Sequence, residues 1–278
     1  MSGGMNAQDA GAVPPDDAPA GLAGLPTRWR AGGTGAHGSV LMLHSLGLDR
    51  LAFDPLRAVL DRGWRAASFD QYGHGAASMH VRFTLDDCVD AARAAIEALG
   101  PGPVHLVGHS MGGAIAALAA SRAGARVASL ALIASPPAGG AAYRDRGEQA
   151  RRQGVEAQVA GTMARWFGPE PGPAAAAGMD YARAALRSMQ AEGLACSWDA
   201  LAAFPGYAGL RDALPRVLCM AAADDLSTPP EAMARIVRDC RPGAAELREL
   251  AGGGHMAPLA RPADVAALLQ AFWRRTSS

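Results

Sequence analysis

The chain has 278 residues, half of them hydrophobic, and its 26 Lys and Arg balance 26 Asp and Glu. That length can bury one sizeable core, so a single domain with an insertion is expected over two independent domains. A formal net charge of zero gives no basic field for nucleic acid or an anionic membrane, which leaves a small molecule as the expected partner.

Residues 1–24 are rich in Gly, Ala, Pro and Asp, carry no Lys or Arg and lack a sustained apolar run. They are expected to form a disordered tail, not a secretory signal, ahead of one folded domain over 25–278. From residue 38 onward, short apolar runs alternate with longer amphipathic stretches. Strands are predicted at Ser39–His44, Arg65–Asp70, Val104–His109 and Ala128–Ala134, with helices at Phe53–Arg62, Leu85–Leu99 and Met111–Arg122 between them. Such a βαβ succession predicts an α/β fold with an open, mostly parallel sheet and helices on both faces.

After Ser135-Pro136-Pro137 the alternation stops. Residues 140–213 read as largely helical, broken at Pro169, Pro171 and Pro205, and this stretch is expected to be a helical cap over the strand ends. A strand at Arg216–Ala223, a helix at Glu231–Asp239, a strand near Glu246–Leu250 and a helix at Pro262–Arg274 complete the pattern. Cys88, Cys196, Cys219 and Cys240 are scattered without paired close spacing, which predicts reduced core thiols and neither a disulfide framework nor a metal site. The longest apolar region, Val104–Ala134, is interrupted by Arg122 and Arg126, too soon for a membrane span. A soluble, cytoplasmic protein without a cofactor is therefore expected.

The strongest chemical signal is Gly108-His109-Ser110-Met111-Gly112-Gly113, which follows one apolar run and precedes an Ala-rich helix. A nucleophile elbow needs this setting, because its serine sits in a strained turn and small neighbours let the backbones approach. A plain Gly-rich turn whose serine caps the helix is the alternative. A serine hydroxyl needs a base, and the base needs an orienter. His255 lies in a Gly-rich loop after the last strand, and Asp225 follows the strand before it. Singly, such residues are commonly a solvated histidine and a turn former; together they stand in the order Ser, Asp, His that an elbow serine requires. The other six histidines are read as structural, solvated or pocket-lining. Two oxyanion donors are also needed, and the backbone amides of Met111 and Leu46 occupy the expected places after the serine and after an early strand.

The whole set resembles the α/β-hydrolase superfamily over about residues 25–275. Within it, Ser45-Leu46-Gly47-Leu48-Asp49, Asp70-Gln71-Tyr72-Gly73-His74-Gly75, Arg165-Trp166-Phe167 and residues 193–201 are similar to stretches of 3-oxoadipate enol-lactonases. Tyr72 stands where that family usually has Arg, and Phe204-Pro205 replaces an acidic ending of the second cap motif. The resemblance implies hydrolysis of an ester or lactone and places the triad acid four residues before a proline, here Pro229, so Asp225 is expected to act and Asp224 to stand by. Arg165, with Trp166 beside it, is the candidate for holding a substrate carboxylate; a solvated helix face is the other reading of Arg165. A carbon–carbon bond hydrolase would use the same triad, and a non-catalytic ligand receptor could keep the same pocket.

Overall fold

A computed structural model describes residues 29–168 and 173–276; the expected tail over residues 1–24 and the predicted breaks at Pro169 and Pro171 lie outside them. The described residues contain a seven-stranded sheet. Its strands are β1 (Trp29–Gly32), β2 (Gly38–Leu43), β3 (Trp64–Phe69), β4 (Val104–His109), β5 (Val127–Ile133), β6 (Arg216–Ala222) and β7 (Ala245–Leu250). They lie in the order β1-β3-β2-β4-β5-β6-β7, with β1 antiparallel to β3 and every other pair parallel.

The strand sequences explain this order. In β2, Leu41 and Leu43 face one apolar cluster while Val40 and Met42 face the other, so the strand is covered on both sides. The edge strand β7, Ala-Glu-Leu-Arg-Glu-Leu, mixes polar with apolar residues and is partly exposed. On one face pack α2 (Leu85–Ala98), α3 (Met111–Ala123) and α8 (Pro230–Asp239); on the other pack α1 (Asp54–Val59) and α10 (Pro262–Thr276). A capping box starts α2, with Thr84 accepting from the Asp87 amide and Asp87 accepting from the Thr84 amide.

Predicted and observed elements agree to within a residue or two at most ends, with two differences. The strand β1 is unpredicted: four residues, Trp-Arg-Ala-Gly, are too few to show a period, and only pairing with β3 defines them. The helix predicted over Phe53–Arg62 is instead a 3-10 turn, Arg50–Phe53, followed by α1. Pro55 suits the first turn of α1, and the chain is already extended at Leu60 so that it can enter β3. Between β5 and β6 lie four helices, α4 (Ala141–Gln153), α5 (Glu156–Phe167), α6 (Pro173–Arg187) and α7 (Ala191–Ala202). Tyr143 of α4 stacks on Trp198 of α7 at 5.8 Å between ring centres. Among the described residues no helix is long and apolar enough to cross a membrane, and no three His, Cys, Asp or Glu side chains gather as a metal-holding group. All four cysteines are buried and free, and burial pushes the Cys88 thiol up to about 12.

His44, His74, His105 and His109 are buried among these layers. His105 packs against the rings of Trp64 and Trp273, which also meet each other, and its Nδ1 is 2.8 Å from Ser129 Oγ. Burial lowers the pKa of His105 to about 4 and, as the largest cause, that of His74 and His109 to about 3. These groups are therefore neutral in the folded chain, whereas the unfolded chain takes up their protons below about pH 6.5. The unfolded state then binds more protons, so stability is complete above that pH and falls progressively from there toward pH 4 and 3. Replacing His105→Phe should remove one of these protons. The slope of unfolding free energy against pH between about 4 and 6.5 should then drop by about 1.4 kcal/mol per pH unit. Denaturant titrations at several pH values check this, and an unchanged slope would show that His105 does not titrate as its burial requires.

Candidate active site

Ser110 stands between the end of β4 and the first residue of α3, with φ +53° and ψ −116°. Ser110 and Ala134 are the non-glycine residues with positive φ among the described residues, and such a backbone is costly for a side chain. The turn is held from both sides: the Ser110 amide donates to Ile133 O at 2.9 Å, and the Gly113 amide donates to Ser110 O at 2.8 Å. Close packing also leaves no room to relax. A Cβ on Gly112 would stand 2.1 Å from Leu43 O, so only glycine lets α3 approach β2 this closely. The Ser110 side chain is left partly exposed at the carboxyl end of the sheet.

The His255 ring reaches this hydroxyl from the loop after β7. Ser110 Oγ–H donates to His255 Nε2 at 2.9 Å, and His255 Nδ1–H donates to Asp225 Oδ2 at 2.9 Å. Asp225 is buried, and its other oxygen accepts from the Ser227 and Thr228 amides at 2.7 and 2.9 Å, which fixes the carboxylate. The neighbouring Asp224 is turned elsewhere: its Oδ1 accepts from the Gly254 amide at 2.9 Å and so holds the histidine loop. Gly254 has φ +57°, and a Cβ there would lie 2.5 Å from Trp166 O, so this loop is fitted against α5. His109 Nε2–H donates to His255 O at 2.7 Å, tying the same loop to β4.

A second loop, residues 44–48, is attached to the turn at 70–76 by two histidines. His44 Nδ1–H donates to Ser45 O, and its Nε2 accepts from the Gln71 amide at 3.1 Å. His74 Nδ1–H donates to Tyr72 O, and its Nε2 accepts from the Gly47 amide at 3.1 Å. Both links use the neutral ring, which agrees with the lowered pKa of each. Asp70 accepts from the Arg50 and Ala76 amides and pairs with the Arg50 guanidinium at 2.9 Å. Tyr72 stacks on Phe83 at 5.9 Å. Among the described residues, neither the Leu46 amide nor the Met111 amide donates to a protein acceptor. The Met111 amide is one of the unpaired donors at the start of α3.

A narrow cavity open to solvent joins these parts to the helices between β5 and β6. Ser110, His255 and Leu46 line its floor, and Tyr143, Arg146, Arg165, Trp166 and Trp198 line its roof. Trp166 is buried, with its indole against Gly47. Arg165 is half-buried, donates through Nη2 to Thr162 Oγ1 at 3.0 Å, and keeps a buried Nε without an acceptor. Burial, and then the like charge of Arg146, lower its pKa from the usual arginine value. Sequence reasoning missed Arg146, Tyr143 and Trp198. Helix α4 carries four arginines, and only its packing against α7 selects Arg146 among them to face the cavity, beside Tyr143 of α4 and Trp198 of α7.

The four-helix insertion and this strand-end constellation bear comparison with known proteins. The chain matches the alpha/beta hydrolase family over residues 40–268. It is 34% identical over 96 residues to a pimeloyl-[acyl-carrier protein] methyl ester esterase of Neisseria meningitidis, covering 34% of this chain and 30% of that protein. It is 29% identical over 134 residues to 3-oxoadipate enol-lactonase 1 of Acinetobacter baylyi, covering 46% of this chain and 49% of that protein. The matched part thus spans less than half the length of either relative. Among solved structures, an enol-lactonase from Burkholderia xenovorans superposes with a TM-score of 0.78 at 21% identity, covering 89% of this chain and 96% of that one. A thermophilic esterase from Thermogutta terrifontis gives 0.77 at 23% identity, covering 91% and 94%. At those identities the structures speak for the fold alone, and it is the family match over most of the chain, on a sheet of this order, that makes the protein a member of the alpha/beta hydrolase family.

Proposed function

We propose that the protein is a serine hydrolase that cleaves an ester or lactone of a small molecule through an acyl-enzyme on Ser110. The observation that carries this reading is the continuous hydrogen-bond chain from Ser110 through His255 to Asp225 at the carboxyl end of the sheet. His255 takes the Ser110 proton as the oxygen attacks the carbonyl, Asp225 steadies the imidazolium, and the Leu46 and Met111 amides receive the developing oxyanion. His255 then returns the proton to the leaving alkoxide, and a water repeats the sequence to free the acid. The esterase and lactonase names of the two sequence relatives agree with this chemistry. In this reading α4–α7 serve as a cap that excludes water, and a carboxylate on the substrate is held by Arg165 beside Trp166.

Three results test the assignment. Ser110→Ala should lower turnover on the order of 10⁴-fold or more with the fold intact, and should abolish covalent labelling by a fluorophosphonate. Labelling that persisted on another residue would sink the nucleophile assignment. Asp225→Asn should cost far more turnover than Asp224→Asn, because an amide at 224 still offers an oxygen to the Gly254 amide; equal losses in steady-state assays would reverse the choice. Finally, Arg165→Ala should raise KM for carboxylate-bearing esters or lactones relative to neutral ones. A desolvated charged hydrogen bond is typically worth ~2 to 3 kcal/mol, so roughly 30- to 150-fold discrimination should disappear. A panel of charged and neutral short esters reads this directly, and equal effects on both would return Arg165 to a surface role.

A further inference from the structure

The cavity roof carries more positive charge than one substrate carboxylate requires. Arg146 and Arg165 line the reaction cavity together, and both also line a second, adjoining one with Gln149, Gln158 and Thr162. The side chains lining the two cavities include no Asp or Glu. Acids do stand nearby on α4 and α7, but they face the other way. Arg151 gathers Glu148, Glu192 and Asp199 at 3.2, 3.1 and 2.6 Å, and this leaves Arg146 without an ion pair among the described residues. The Arg146 guanidinium instead lies over the Trp198 ring, 5.0 Å from its centre, in a stack continued by Tyr143. Arg165 likewise makes no ion pair among the described residues, and its buried Nε has no acceptor.

Two guanidinium groups that line the same cavity, both partly buried and both without an ion-paired carboxylate among the described residues, repel each other in the free protein. A single negative charge would leave one of them uncompensated at short range in a partly desolvated space. From this juxtaposition of Arg146 and Arg165 at the junction of two acid-free cavities, we infer that the site takes a substrate carrying two negative charges, as a pair of carboxylates or as a phosphate. Arg146 is then a specificity-determining residue equal in rank to Arg165. Its stack on Trp198 holds the guanidinium plane so that little freedom is lost when an anion arrives. This inference rests on the reading of the cavity as the acyl-transfer site.

The test uses the full chain and three probes at mildly alkaline pH and matched ionic strength: malonate and glycerol 3-phosphate as dianions, acetate as the single-charge control. Each is measured by the shift of the thermal unfolding midpoint, and by competition against hydrolysis of 4-nitrophenyl acetate. A dianion that binds only the folded state should raise the midpoint and compete, while acetate does neither at the same concentration. Arg146→Met should weaken the dianion roughly 10- to 100-fold, and Arg146→Lys, which keeps the charge, should weaken it less. Binding of malonate alone identifies a dicarboxylate, and binding of glycerol 3-phosphate alone identifies a phosphate. Acetate binding as tightly as both dianions, no binding by either dianion, or undiminished dianion binding in a cooperatively folded Arg146→Met, would overturn the inference. Malonate protection of a protein that no fluorophosphonate labels would support the dianion site while overturning the acyl-enzyme reading, so the two fail separately.

Discussion

The contact between the start of α3 and the ends of β2 and β4 governs the rest of the molecule. Gly112 lies so near the Leu43 carbonyl that no side chain fits, and this approach forces the chain at Ser110 into a positive-φ turn. A turn of that kind is tolerated only where its surroundings hold it. Here the bond from the Ser110 amide to Ile133 and the nearly complete burial of the first ten residues of α3 do so. The Met111 amide follows at the first position of α3, among the donors that a helix start leaves without an intrahelical partner.

Around that turn, three loops are fastened by polar side chains, most of them buried. His44 and His74 attach the 44–48 loop to the 70–76 turn, Asp70 binds Arg50 and two amides, and Asp224 with His109 secures the loop bearing His255. The bonds of the buried His44, His74, Asp70 and His109 lie in surroundings where an unmade one would cost more than it does at the surface. These bonds fix where the 44–48 loop and the loop bearing His255 sit relative to Ser110. Two adjacent aspartates illustrate the division of labour: Asp225 faces the imidazole, and Asp224 faces the backbone of the imidazole's own loop.

Charge over the cavity follows a different rule. On α4 and α7, one arginine, Arg151, draws in three acids, and another, Arg146, is left on an aromatic ring facing the cavity. Neutrality of the chain as a whole thus coexists with a local excess of positive charge above Ser110. Local excess is what an incoming anion experiences, because exposed charges farther off are screened by salt.

Much of this was legible from residue order. The apolar runs at β2 to β6 marked the buried parallel strands, since strands covered on both faces need continuous hydrophobicity. The Gly108–Gly113 segment marked the turn, since a small-residue requirement on both sides of a serine has few other causes. The spacing of Asp225 and His255 marked the candidate partners of Ser110, because chain order is fixed by the order in which strands enter the sheet. The strand β1 was not legible, because four residues carry no period and only the neighbouring strand defines them. Nor did the residue order separate Arg146 from Arg151, or show that Asp224 holds a loop. All of these depend on which way a side chain turns once helices and loops pack, and identical residue types five positions apart on one helix can meet entirely different neighbours. The sequence by itself therefore determined the sheet, the turn and the candidate residues Ser110, Asp225 and His255 that the fold brings together, through hydrophobic period, glycine sterics and chain order. Tertiary packing alone decided which charges face the cavity and which bonds fix the loops, because those contacts join residues far apart in the chain.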